Sequence, residues 1–537
     1  MGQPEDGARP VYFLTGAARV VAARSDNRRE TRRRQRLAAL ARSVYQRQKV
    51  LAILVAVAGA VLLVLVSRAA TLLGEGTDLY GRWFGLRQLL LAGQNPYGPE
   101  ITRALAAQSS FLSPASDPGA APTALETAFG FLYPLPGLLV LTPLALLPYP
   151  IALTLWLLAI VLMLPLAAGL VVDAVAPSSG AAWPASAGGA GLARRLAVPL
   201  GLVFLPTLAS LLHAQLAPAV AFFVALAVWF SWRRGVPRPA HDFLAGAALV
   251  AGVALKPHLL AVLSPLWLGF HSWQLQQRSR QGRSRRFLVG AGATAAALAG
   301  MAWLLLPSWP TDFLQAARSY AALAGADYPS VTRAVLPGGS AVLRLAGALL
   351  PGRLAWSIAG LLSLALLAWA AAGWQVQPLR AAAPQGGSGD ALAGARRRRP
   401  GDADADANRW RSGSAIADAE RRGLSRSLIA SALVLPPAWE ANAVLLLIPL
   451  AIRLGDLSNR PALAASFVIA SGVLTVLDLP LYMTQPWHNG PLLILCYVLL
   501  LAGSDWFGRS PHPRRAEESV ARSPILVDSP EDVLSGA

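Results

Sequence analysis

Long apolar stretches separated by short polar ones set the period of this chain. The first apolar stretch runs from Val50 to Leu73. Others follow at roughly 131–148, 150–173, 195–212, 216–232, 241–256, 258–272, 287–306, 354–374, 427–436, 441–454, 461–479 and 491–505. Stretches of this length and apolarity predict membrane helices, so the expected fold is all-α and polytopic. Several are shorter than the roughly 20 residues that a spanning helix needs. Short pieces predict broken or re-entrant helices, because non-helical backbone at membrane depth is tolerated where it lines a cavity.

Segment 131–148 is expected to stay at the outer interface as an apolar hairpin. It holds Pro134, Pro136, Pro143 and Pro148. An interior proline removes a backbone hydrogen bond and kinks a helix. Setting this segment aside leaves about twelve crossings with both termini cytoplasmic. The basic runs fix that orientation through the positive-inside rule. They are Arg28 to Lys49, Arg194-Arg195, Arg233-Arg234, the arginines between 278 and 286, and Arg396 to Arg399. The 74–130 loop is richer in acids than in arginine and is placed outside, as is 307–352. Three polar tips then point outward: His213-Ala214-Gln215, Lys256-Pro257-His258 and the stretch from Pro436 to Glu440.

The expected organisation is a basic cytoplasmic tail (1–49), read with Val50–Leu73 as an uncleaved anchor, and a membrane core (50–374) with external loops 74–149 and 307–353. A disordered cytoplasmic loop (375–426), C-terminal helices (427–505) and a cytoplasmic tail (506–537) complete it. The loop is rich in Ala, Gly, Arg and Asp with no apolar period. Its Asp402-Ala-Asp404-Ala-Asp406 run is similar to a sugar-nucleotide D-x-D. It sits in low complexity on the inner side, so we set it aside.

Composition sharpens the class. The 537 residues are 55% hydrophobic and 14% charged, well below the charge of a soluble domain. A multi-pass plasma-membrane protein fits both values. The single cysteine, Cys496, excludes an internal disulfide and a cysteine metal cluster. A net charge of +19 invites a nucleic-acid reading. The arginines instead flank apolar segments, with no basic face on a soluble domain, so topology and anionic lipid headgroups explain the charge.

Two residues stand out against this background. Lys256 is one of two lysines in a chain that otherwise uses Arg, and it lies inside an apolar stretch. An ionisable residue there is a functional-site candidate; the competing reading is a lysine that snorkels to the interface. Asp78 comes five residues after the first apolar segment, in Gly-Glu-Gly-Thr-Asp78-Leu-Tyr80-Gly-Arg82-Trp83. A carboxylate at the rim of an external cavity suits a general base. The competing reading is a helix cap.

The motifs downstream give an ordered pattern. Gly93, Pro96 and Tyr97 come next, then Phe131, Tyr133 and Pro134. Gln215, Lys256 with Pro257, and Pro437 with Trp439 complete it. This order resembles glycosyltransferase family 87, and the similarity covers roughly residues 50–500. The chain departs from the family pattern at Leu135, where a second proline is usual, and at Ala214, where the family has glycine. Glu440, Ala441 and Asn442 stand where a histidine is expected.

The resemblance implies a GT-C membrane fold that transfers a hexose, with mannose the first expectation, from a polyprenyl-phosphate donor. The acceptor would be a glycolipid or glycan on the outer face. It implies Asp78 as base and Lys256 on the donor phosphate, with His258 and Arg318 as helpers. Gln215, Arg82, Tyr97, Tyr133, Trp439 and Glu440 would line the substrates, and Trp83 joins Trp439 and Tyr133 as a stacking candidate. No cofactor or metal is required on this scheme, because the donor carries one phosphate. Two other classes remain. A transporter or flippase of lipid-linked saccharides should show internal repeats, and the chain has no clear one. A non-catalytic scaffold would not need Asp78, Lys256 and Glu440 all at outer tips.

Overall fold

The structure is a computed structural model. It describes residues 78–108, 131, 133–176, 186–233, 239–277, 281–326, 352–375, 400–434, 440–484 and 495–502, with Val64 and Arg68 besides. The chain divides into two units, Met1–Ala69 and Ala70–Ala537. The elements from Asp78 onward belong to the second unit. Every regular element among the described residues is helical, which bears out the all-α expectation.

Helices α1 (Asp78–Ala92) and α2 (Pro99–Gln108) flank a tight turn. Segment 131–148 forms α3 (Leu135–Leu138), a 3-10 turn (Leu139–Leu141) and α4 (Thr142–Ala145). Its prolines break it into these pieces, none long enough to span. Then come α5 (Tyr149–Val175), α6 (Ser186–Val203), α7 (Leu205–Leu212), α8 (Ala217–Trp232) and α9 (Pro239–Leu255). A 3-10 turn (Pro257–Leu260) leads to α10 (Leu263–Gln274), α11 (Gln281–Leu305) and α12 (Trp309–Ala326). The chain continues with α13 (Gly352–Gly373), α14 (Pro400–Val434), a 3-10 helix (Glu440–Leu446), α15 (Leu447–Asp456) and α16 (Pro461–Thr484).

Two helices, α5 and α11, are long and apolar enough to cross a membrane. The apolar helices Ala217–Trp232 and Pro239–Leu255 are shorter. Twelve full-length spanning helices are therefore not what the described residues contain. The outer surface is apolar where helices usually turn polar faces to water. Ile151, Leu155, Leu162 and Leu166 project from α5, and Leu304 is 84% exposed on α11. An apolar exterior of this extent suits lipid rather than water. The opposite face of α5 is buried through Ala152, Trp156, Ile160 and Leu164.

Small residues let the helices approach closely. Helix α9 packs most extensively on α11 and α8. A Cβ at Gly246 would fall on the Phe287 carbonyl, and one at Gly290 on the Phe243 carbonyl. Glycine at both positions brings the two backbones into contact, the usual device between helices in lipid. Gly137 does the same where α3 meets the Ala254 carbonyl at the end of α9.

Stretch 375–426, expected to be disordered, is helical from Pro400 onward. Residues 376–399 lie outside the described ones. Glu420, Leu424, Ser427, Leu428 and Ser431 are buried, a helical stripe. Charged and small residues between these positions hid its period. Glu420 accepts a hydrogen bond from Trp267 Nε1 (3.1 Å), lies 3.5 Å from Arg283 and 3.7 Å from His271 Nε2. Arg283 also reaches Asp242 (3.5 Å) and the Ser231 carbonyl (2.7 Å). This charged end and the Lys256 turn sit at opposite ends of α9, about 20 Å apart at 1.5 Å per residue.

Candidate active site

Asp78 opens α1, and its backbone N–H donates to the His213 carbonyl at 3.1 Å. That bond ties the start of α1 to the tip between α7 and α8. The tip is a tight turn in which Ala214 takes φ 47°, unusual for a residue with a side chain. Trp156 on α5 holds it there by donating to the Ala214 carbonyl at 3.1 Å. The turn sends Gln215 inward, fully buried.

Gln215 joins two charged residues. Lys256 Nζ donates to Gln215 Oε1 at 2.8 Å, and Gln215 Nε2 donates to Asp78 Oδ2. Lys256 comes directly after the last residue of α9 and is 6% exposed. Burial to this degree favours a held ammonium over the snorkelling alternative. The Asp78 side chain is 31% exposed, so it alone of this trio faces open space.

Arg82 lies one turn along α1 and is completely buried. It contacts the Asp78 carboxylate at 3.9 Å and donates to the Asp78 backbone carbonyl. It also donates to the Tyr133 hydroxyl, with its guanidinium 4.0 Å from the centre of that ring. Tyr97 donates its hydroxyl to the Tyr133 carbonyl at 2.7 Å and accepts from the Leu135 N–H at 3.1 Å. Burial pushes the Tyr97 phenol above its usual range, so it stays protonated and able to donate. At the tip, burial pushes His213 below its usual range, while Asp78 acts the other way. The His213 carbonyl is the group that holds the start of α1.

The turn before α2 is built by Asn95. Its Oδ1 accepts from the Tyr97 N–H (3.0 Å), and its Nδ2 donates to Asp312 on α12 (2.7 Å). This places Tyr97 against Phe131 and Phe313. Trp83 Nε1 and Arg87 donate to the Leu144, Ala145 and Leu147 carbonyls, filling the orphan acceptors at the end of α4. Trp83 is therefore a brace between α1 and the proline-rich segment. One face of Tyr133 is taken by Arg82.

The structure brings together Asp78, Arg82, Tyr97, Tyr133, Gln215 and Lys256. His258 lies in the turn beside Lys256, and its Nε2, like Arg82 Nε, is buried without a hydrogen-bond partner among the described residues. Arg318 is exposed on α12 and makes no hydrogen bond or ion pair with the other described residues. Trp439 lies outside the described residues. Glu440 begins a 3-10 helix that packs on α7, and its side chain is not described. Trp156, Asn95 and Asp312 were missed, since one Trp among 16 and a common turn carry no local signal.

A cavity of about 190 Å³ lies next to the cluster, lined by apolar side chains including Leu141, Leu144, Trp156, Phe223 and Leu255. Leu255 adjoins Lys256, and Trp156 holds the Gln215 tip. The arrangement thus offers a partly open carboxylate, a buried ammonium, two unpartnered nitrogens and an apolar recess. Among the described residues, no three His, Cys, Asp or Glu cluster as metal ligands.

No curated protein and no solved structure matches the chain. A family model does, from residue 131 to residue 385, a little under half of the chain. That range includes Tyr133, Gln215, Lys256 and His258 and leaves out Asp78, Arg82 and Tyr97. The cluster therefore sits in a chain whose residues 131–385 match glycosyltransferase family 87, the family its ordered motifs resemble, and glycosyl transfer is the activity that this family implies.

Proposed function

We propose that the protein transfers a hexose from a polyprenyl-phosphate donor to a glycolipid or glycan acceptor on the outer face of the plasma membrane. The observation that carries the reading is the Asp78–Gln215–Lys256 chain, which sets a partly open carboxylate beside a buried ammonium. Asp78 accepts the proton of the acceptor hydroxyl. The hydroxyl oxygen attacks the anomeric carbon as the bond from that carbon to the phosphate oxygen breaks. The bonding pair leaves with the phosphate, and attack from the opposite face inverts the centre.

Departure of the phosphate needs positive charge and N–H donors in a dry site. Lys256 supplies the charge, and it acts on phosphate as a point charge. Among the described residues, Arg82 Nε and His258 Nε2 are buried nitrogens without a hydrogen-bond partner. The apolar recess lined by Leu255 suits the first isoprene units of a lipid donor. Mannose is the hexose we expect.

The test is turnover by purified protein with a panel of polyprenyl-phosphate hexoses and, as a contrast, nucleotide sugars. Product from a polyprenyl-phosphate donor with inverted configuration is the expected result. Product only from nucleotide sugars, or bound donor with no transfer, contradicts the reading. The latter result would instead favour a flippase.

A further inference from the structure

Gln215 is the one member of the cluster whose amide is engaged at both ends by charged groups. Its Oε1 accepts from Lys256 and its Nε2 donates to Asp78. It is fully buried, and its backbone N–H is held by the Ser210 carbonyl at 2.9 Å. The turn that delivers it keeps Ala214 in the left-handed region, and Trp156 and the Asp78 N–H pin that turn. Strain kept at a site and held by three elements points to a geometric requirement.

The requirement arises from charge. Asp78 and Lys256 have opposite signs and sit on either side of one side chain. In direct contact they would form an ion pair, leaving Asp78 a weaker base and Lys256 committed to a carboxylate. An amide carries no net charge. Its carbonyl end suits an ammonium and its NH2 end suits a carboxylate. We infer that Gln215 is a positioning residue: it spaces and aligns Asp78 and Lys256, so that Lys256 adds no second ion pair to the one Asp78 makes with Arg82, and the carboxylate meets the acceptor hydroxyl while the ammonium meets the donor phosphate. This rests on the proposed transferase reading. The other groups facing the trio are Arg82, His213 and His258, and they are the same in every variant below.

Two substitutions move the chemistry in opposite directions. Gln215→Glu keeps the length and sets a second carboxylate against Asp78, so the pair retains a proton to higher pH. The acid limb of its kcat profile should move up by about one pH unit or more. Gln215→Met keeps the bulk and removes both polar ends, so Lys256 and Asp78 can meet. Its acid limb should move down, kcat should fall roughly 10²-fold, as for a weakened base, and donor KM should rise. Thermal unfolding in detergent checks that each variant is folded. If Gln215→Glu does not fold, the Met variant alone decides, through its downward shift.

Opposite shifts from the two variants against an active parent support the inference. A lower rate with an unmoved pH profile in the folded variants means that Gln215 only packs, and this inference falls alone. A parent that turns over no polyprenyl-phosphate sugar removes the transferase reading, and the inference falls with it.

Discussion

Lys256 shows how far a single residue could be read and where reading stopped. Its rarity and its apolar context marked it in the sequence. Nothing in the sequence said that Gln215, 41 positions away, would accept its hydrogen bond. Asp78 and Lys256 were legible because charge in an apolar chain is rare. Trp83, Arg87 and Trp156 were not, because they serve backbone carbonyls that any segment could present. Arg318 stays exposed on α12, away from these contacts. Lys256→Met keeps the stem and deletes the ammonium. Folding should be little changed or improved, because a buried charge is gone. Donor affinity, measured by titration, should fall by about 1.5–3 kcal/mol. Lys256→Arg should rescue only part of it, since a planar fork does not fit a site shaped for a compact ammonium. Wild-type donor affinity in folded Lys256→Met would remove Lys256 from the phosphate.

At the scale of elements, prolines and helical stripes decided what could be read. The four prolines of 131–148 forecast a broken segment, and α3 and α4 are its pieces. Helix α14 was read only from residue 427 onward; its earlier part was missed because charged and small residues surround the buried Glu420 and Leu424 there. Polar residues are buried there because each has a partner, and Glu420 has three: Trp267, His271 and Arg283. Glu420→Ala leaves Arg283 and the Trp267 N–H without that acceptor. Removing one partner of a buried pair costs about 3–5 kcal/mol. Arg283 keeps Asp242 and the Ser231 carbonyl, so the low end of that range is expected. A lower thermal midpoint in detergent checks it, and an unchanged midpoint would mean that Glu420 does not dock α14 to α10 and α11.

Across the second unit, the described helices carry polar groups at two ends with apolar stretches between them. One holds Asp78, Gln215 and Lys256. The other holds Asp173 with Arg194 at 2.5 Å, Asp242 with Arg286 at 2.8 Å, and Glu420. The arginine-rich end fits the cytoplasmic side, which would put the cluster at the outer surface. Single cysteines on a Cys496→Ala background test this map. An impermeant thiol reagent should label position 117 and spare position 397 in intact cells; the reverse pattern would overturn the orientation. All-helical character was readable from the long apolar period. The number of full spans was not, because apolar stretches too short to span were still counted as crossings.

Asp78→Asn decides whether this cluster transfers sugar with Asp78 as its base. Asparagine keeps the shape and the contact with Gln215 and removes the basicity. Turnover and donor binding are measured on the same purified, folded protein. With Asp78 as the base, kcat should fall about 10²–10⁴-fold while donor affinity stays close to the parent's. Near-parental turnover in folded Asp78→Asn would contradict that role.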